Sequence, residues 1–225
     1  MNASNATRQK LVIAVDGPSG SGKSSVSREA AKRLNFNFLD TGAMYRMITL
    51  YLTTRSIENE SDINNILESN DLNFDVSIDP AEIHFSINGQ DVSKTIRSEE
   101  ISSKVSFYAS LQEIRNYLVK TQRKLIENSD KSIVIEGRDI GSVVVPNADL
   151  KIFITASEEI RAQRRAKELN SGVEKVLNDQ KIRDQKDSNR KISPLIKPQD
   201  SIELDTSELT FEDSVTKFIG LVKNV

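Results

Sequence analysis

The stretch LVIAVDGPSGSGKSSVS, residues 11–27, joins an apolar run to a glycine-laced loop and then to a lysine followed by serines. Leu11–Val15 is continuously apolar, the pattern of a strand buried on both faces of a parallel sheet. Val26, Ala30, Ala31 and Leu34 then recur at helical spacing. Between them Gly17, Gly22, Lys23 and Ser24 complete the spacing G-x-x-x-x-G-K-[ST], in the strand–loop–helix context that this pattern requires. Glycines let main-chain N–H groups turn inward around phosphate oxygens, and the helix N-terminus adds the positive end of its dipole. Lys23 is spaced to reach the β and γ phosphates, and the Ser24 hydroxyl to hold Mg²⁺. The four fixed positions coincide by chance in about one chain of this size per hundred. Gly17, Pro18, Ser19, Gly20, Ser21, Gly22, Lys23, Ser24 and Ser25 therefore read as a nucleoside triphosphate site.

Outward from this loop, strand and helix patterns alternate. Phe36–Leu39 reads as a second strand and Ala43–Thr53 as a second helix. SIVIEG (132–137) and LKIFITA (150–156) are further buried strands, and SIELD (201–205) is a fifth. A closing helix is opened by Thr210 and Asp213 in capping-box spacing, with Val215, Phe218 and Ile219 on one side. This is an α/β, three-layer P-loop fold with a central, mostly parallel five-stranded sheet. Residues 72–96, LNFDVSIDPAEIHFSINGQDVSKTI, break the rhythm: they alternate apolar and polar around Asn88-Gly89 and read as an inserted antiparallel hairpin region. At 225 residues and 37% hydrophobic, the chain reads as one domain.

Composition removes several classes of function. With no cysteine, a disulfide framework, thiolate zinc and a cysteine nucleophile are all excluded, and a reducing cytoplasm is the expected compartment. No apolar run approaches the roughly 18 residues of a membrane helix. The leader MNASNATRQK is polar, lacks the apolar block of a signal peptide, and reads as a short disordered tail. A net charge of −2 argues against a dedicated nucleic-acid binder. Residues 161–197 nevertheless hold 11 Lys plus Arg against 5 Asp plus Glu, which is either a solvated helical face or a grip on a small, highly charged ligand. Neither Asp-x-x-Gly nor Asn-Lys-x-Asp occurs, so the switch and guanine-reading parts of a GTPase are missing. A phosphotransferase remains, and it should show a second set of basic residues for its acceptor.

Such a set is present. LDTGAMYR (39–46), EGRDIGSVVVPNADLKIF (136–153) and RDQKDSNR (183–190), in this order after the phosphate loop, resemble the bacterial cytidylate kinases over most of the chain, from about Lys10 to Lys223. The resemblance implies ATP-dependent phosphorylation of CMP and dCMP with Mg²⁺, an acceptor-binding region over 41–115 that includes the hairpin insertion, and a mobile lid over 161–190. It implies Arg46, Arg138 and Arg190 as grips on the acceptor phosphate, with Thr41 among the acceptor's contacts. Arg183 would lie beside the transferred phosphoryl group, Asp187 would accept from the ribose hydroxyls, and Ser106, Arg115 and Asp139 would read cytosine. Lys23, Arg138, Arg183 and Arg190 are then the catalytic cations, and Arg161 and Arg165, with Arg164, belong to the lid on the ATP side. Partners are small molecules, with no nucleic acid or membrane, and the protein is expected to act as a monomer.

Competing readings accompany these assignments. Arg183, Asp187 and Arg190 stand at i, i+4 and i+7, so on one predicted helix they would share a face, as a surface ion-pair ladder also would. Arg138-Asp139, between two glycines read as strand-ending, Gly137 and Gly141, could form a loop salt bridge. The family pattern itself is departed from at Glu136, where aspartate is usual, at Ser142 in place of threonine, at Asn147 in place of aspartate, and in a short lid around NSGVEKVL. Glu136, Asp16 and Asp40 all remain candidates for the carboxylate in the outer shell of the magnesium ion. The single histidine, His84, falls in the hairpin and reads as structural. A kinase for another small acceptor, or an ATP-gated binding module, is the alternative.

Overall fold

The computed structural model describes residues 10–69 and 72–225; residues 1–9, most of the leader read as a tail, lie outside them. Strand β1 (Val12–Asp16) runs into the glycine loop and helix α1 (Lys23–Leu34), which stops at Asn35 in the left-handed conformation. Strand β2 (Asn37–Asp40) follows, and Asp40 caps α2 (Thr41–Thr54) by accepting from the Ala43 N–H. After α3 (Glu60–Glu68) come short strands β3 (Phe74–Val76), β4 (Phe85–Ile87) and β5 (Gln90–Asp91), and then a 3₁₀ turn over Thr95–Arg97. Helices α4 (Glu99–Tyr108) and α5 (Gln112–Glu127) lead to β6 (Ile133–Gly137) and a π-helical turn, Ile140–Val144. The chain ends with β7 (Leu150–Thr155), α6 (Glu158–Leu169), α7 (Val173–Ser188), β8 (Ile202–Asp205) and α8 (Phe211–Lys223). Among the described residues no helix is long and apolar enough to cross a membrane.

The main sheet has the order β2-β6-β1-β7-β8, and every pairing in it is parallel. Each of the five strands expected from the sequence is there, shifted at its ends by a residue or so. The reason β1 must be apolar throughout is visible in its packing. Ala14 faces the core under α2, α4 and α5, with Leu39, Met44, Ile48 and Ile135. Ile13 and Val15 face the opposite core, with Ala30, Val134, Ile154, Val215 and Phe218. Because side chains alternate faces along a strand, a sheet covered on both sides leaves no position for a polar residue until its edge.

Within residues 72–96, strands β3, β4 and β5 form a separate three-stranded antiparallel sheet. Asn88 and Gly89 turn it with φ of 51° and 80°, the doubly left-handed geometry of a tight hairpin. Beyond β3, the Ile78 carbonyl accepts from the Phe38 N–H at 2.8 Å, so the insertion covers the outer edge of β2.

Two local expectations need correction. Helix α7 ends at Ser188 with Asn189 as its cap, so Arg190 lies past the helix rather than on its face. Gly141 sits inside the π-helical turn and ends no strand; Gly137 does end β6. The turn exists because both oxygens of Asp16, at the end of β1, accept from main-chain N–H groups of Ile140 and Gly141, each at 2.8 Å. This side-chain anchor from a different strand carries no local signature.

Candidate active site

Parallel strands place all their C-terminal ends on one edge of the sheet, and the register aligns Asp16 with Gly137 and Asp40 with Glu136. Ligands of such sheets bind outside these ends. A cleft of about 500 Å³ opens there.

One wall of the cleft is the glycine loop. Gly20 and Gly22 hold left-handed φ of 74° and 81°, which other residues adopt only with strain. Gly17 is required by contact: a Cβ there would lie 2.0 Å from the Ile154 carbonyl oxygen. Lys23 is buried, donates to the Pro18 carbonyl at 3.2 Å and lies 4.0 Å from Glu136. Burial, and then the Arg138 charge, push its ammonium down to about 7 against the pull of Glu136. The Ser24 hydroxyl donates to Glu136 Oε1 at 2.7 Å. Burial and the nearby Asp40 push Glu136 up to about 7, with Lys23 and the Ser24 bond opposing.

The three carboxylates left open by the sequence are now distinct. Asp16 is raised to about 6 by burial, and its oxygens are taken by the turn it anchors. Asp40 caps α2 and pairs with Arg97. Glu136 is the one bonded to Ser24.

The facing wall is made of side chains from four separated stretches. Thr41, Arg46, Ser106, Arg115, Arg138, Asp139, Arg183, Asp187 and Arg190 all line this same cleft. The Thr41 hydroxyl donates to the Glu136 carbonyl at 2.8 Å, and a Cβ on Gly137 would meet that hydroxyl at 2.6 Å. Arg46 donates to Ser102 Oγ at 2.6 Å. Arg138 Nε donates to Asp187 Oδ2 at 3.0 Å, and Arg190 Nε to the Asp187 carbonyl at 3.2 Å. Arg115 is buried and paired through Nη2 with buried Asp139, its Nη1 donates to the Ala109 carbonyl, and its guanidinium lies 5.3 Å from the Tyr45 ring.

This wall carries more positive charge than it neutralises. Burial, with Arg138 and Arg46 alongside, pushes the Arg183 guanidinium down to about 9. Burial also lowers Arg46 and Arg190. Arg183 Nε and Arg190 Nη2 are buried donors with no acceptor among the described residues. A buried, unsatisfied charged donor is costly, so the arrangement calls for an anion with several oxygens.

Some assigned residues sit elsewhere. Gly17, Pro18, Ser21 and Arg161 do not line the cleft, whereas Arg164 and Arg165 do. Arg161 is buried behind the loop, donating to the carbonyls of Ala156 and Ser19 and to Asp184 at 3.1, 2.7 and 2.5 Å. Asp184 in turn accepts from the Ser19 N–H at 2.9 Å. The loop is thus braced from α6 and α7 by an ion pair that the sequence reading missed. Tyr45 and Arg97 also line the cleft without having been singled out. Tyr45 belongs to the LDTGAMYR stretch; Arg97 directly follows the inserted hairpin region and carries no local signature.

Comparison with known proteins covers nearly the whole chain. The family model described as cytidylate kinase matches residues 13–224. A cytidylate kinase of Fervidobacterium nodosum is 44% identical over 94% of this chain and 95% of its own. One from Fusobacterium nucleatum is 46% identical over 93% and 95%, and one from Caldanaerobacter subterraneus 46% over 94% and 94%. Among solved structures, a Eubacterium ventriosum protein superposes with a TM-score of 0.57 at 13% identity, covering 96% of this chain and 100% of that one. This last likeness bears on fold alone.

Proposed function

Since the chain belongs to the cytidylate kinase family, we infer that it is a transferase passing the γ-phosphoryl group of ATP to CMP or dCMP, with release of ADP and CDP or dCDP. The observation that carries this reading onto particular residues is the facing of two anion-binding walls across one cleft. One is a glycine loop whose amides suit the donor's phosphates; the other is a guanidinium cluster with unsatisfied buried donors.

In this reading the acceptor's phosphate lies among Arg46, Arg138 and Arg190, with Thr41 beside it. Its second pKa is about 6, so at neutral pH the attacking oxygen already lacks its proton and no general base is needed. That oxygen bonds to the γ-phosphorus as the bond from phosphorus to the leaving ADP oxygen breaks. Lys23, Arg138 and Arg183 offset the negative charge spread over the phosphoryl oxygens in between. Arg164 and Arg165 reach the donor side from α6, and Arg161 acts by holding the loop through Ser19 and Asp184. The lid's packing keeps water, a competing acceptor, away.

A magnesium ion fits the oxygen pair of Ser24 and Glu136, because this ion takes few protein ligands and completes its shell with phosphate and water. When bound it neutralises phosphate charge. Base selection falls to Asp139, held by Arg115, together with Ser106, which lines the same cleft. A carboxylate accepts from the 4-amino group of cytosine and repels the carbonyl that uracil carries there. Asp187 accepts from the ribose hydroxyls. The protein works as a monomer in the cytoplasm.

The test is ADP release with CMP, dCMP, UMP and AMP as acceptors. CMP and dCMP are expected to support turnover, and a preference for UMP or AMP would discard the base assignment. Asp139→Asn can present either an amide donor or a carbonyl to the base. It should reduce the preference for CMP over UMP by about a hundredfold; an unchanged preference would mean that another residue reads the base.

A further inference from the structure

The 3₁₀ turn Thr95–Arg97 joins the antiparallel insertion to α4, and Ile96 anchors it in the core. The Ile96 carbonyl also lies 3.5 Å from Arg46 Nη1, the nitrogen that donates to Ser102 on α4. Arg97 therefore projects from the residue adjoining an Arg46 contact, and its side chain lines the same cleft. Of the like charges pressing on Arg46, that of Arg97 is the largest, ahead of Arg138.

The partner Arg97 has found is a poor one. Its Nη2 is 3.4 Å from Asp40 Oδ2, and its side chain is 58% exposed. Charge-assisted bonds of this kind close to about 2.7–2.9 Å, and exposed pairs contribute about 0–1 kcal/mol. Asp40 does not depend on the contact, since its other oxygen caps α2 through the Ala43 N–H at 2.8 Å. A flexible cation on the rim of an anion cleft, loosely held by a carboxylate with a separate duty, is free to change partners.

We propose that Arg97 is a further grip on the acceptor's phosphate, parked on Asp40 until that phosphate enters the cleft. The inference rests on the acceptor reading of this wall, and it concerns the phosphate rather than the base. A dianionic phosphate offers three oxygens where Asp40 offers one at long range. Its arrival also relieves the repulsion between Arg97 and Arg46, so the exchange is favourable from both sides.

Titration calorimetry of the full chain with CMP and with cytidine, without ATP or Mg²⁺, separates this role from a structural tie between insertion and body. Arg97→Ala should weaken CMP about tenfold and change cytidine less than twofold. Arg97→Lys, which keeps the charge, should recover part of the loss and serves as the folded comparison if the alanine variant is unstable. Asp40→Asn keeps an effective helix cap and frees Arg97, so CMP should bind as well as in the wild type or better. Equal losses for CMP and cytidine, or a loss in Asp40→Asn matching that of Arg97→Ala, would overturn the proposal. Were the acceptor panel to favour UMP or AMP, the same comparison of monophosphate with nucleoside would be made with uridine or adenosine compounds, and Arg97 would be judged independently of the base.

Discussion

The two walls of the cleft, both proposed to hold phosphate, are built from different materials. On the side proposed for the donor, the contiguous glycine loop supplies Ser19, Gly20 and Gly22 to Ser25 to the wall, fixed by glycine conformations and braced by Arg161 and Asp184. On the side proposed for the acceptor, guanidinium groups of Arg46, Arg138, Arg183 and Arg190 converge from distant stretches, and Arg183 and Arg190 leave buried donors unsatisfied. A main-chain cradle is assembled by folding and adds no net charge, so it costs little when empty. A guanidinium wall holds real charges in a buried place, and an anion between them would relieve that repulsion. The difference teaches where each wall is vulnerable: the first fails through geometry, the second through loss of single charges.

The heaviest blow to this contrast should come from Gly17→Ala. The new methyl group would overlap main-chain atoms of Ile154 on the neighbouring strand, which cannot swing aside as a side chain would. Stability should fall by about 3 kcal/mol, with ATP binding lost, as read by thermal melting with and without the nucleotide. A normal melting temperature with normal ATP stabilisation would mean that the cradle tolerates a displaced backbone.

A smaller and more selective effect is expected from Arg190→Ala. Removing one guanidinium should weaken CMP by about tenfold and leave ATP affinity nearly unchanged, because the donor wall does not use it. Equal losses for both nucleotides would dissolve the distinction between the walls.

The smallest effect concerns the seam where they meet. Glu136 is raised in the folded protein to about 7 from an ordinary value of 4.5. The folded state therefore retains a proton that the unfolded chain has released between those values. The corresponding stability is complete at and below pH 4.5, is lost as pH rises to about 7, and is constant above. Glu136→Gln should remove this slope, on the order of 1 kcal/mol because Lys23 shares the titration. Denaturant unfolding of the ligand-free protein at pH 5 and pH 7.5 would measure it, and an identical slope in both proteins would place the titration elsewhere.

Much of the fold was legible from local pattern. Five short apolar runs bounded by turns became the five strands, and the Asn88-Gly89 turn became a hairpin because both residues tolerate positive φ. Thr210 and Asp213 capped α8 as their spacing implied. Arg190 was misplaced because a helical period continues on paper until something stops it, and α7 stops at Ser188. Arg161 was legible as a cation but not as a brace, since its acceptors are loop carbonyls and a carboxylate one helix away.

What the sequence determined by itself is what short-range chemistry dictates: the glycine loop between an apolar strand and a helix, the parallel α/β scheme, and the residue types able to hold phosphate. Only the tertiary structure decided that β6 inserts between β2 and β1, which sets Glu136 against Ser24, binds Asp16 to the π-helical turn, and brings Arg138 opposite Asp187. The reason is one of range. Spacing along the chain constrains neighbours within a turn or two, whereas the pairing of charges dozens to more than a hundred residues apart depends on strand order, and strand order comes from how the whole apolar surface is buried at once.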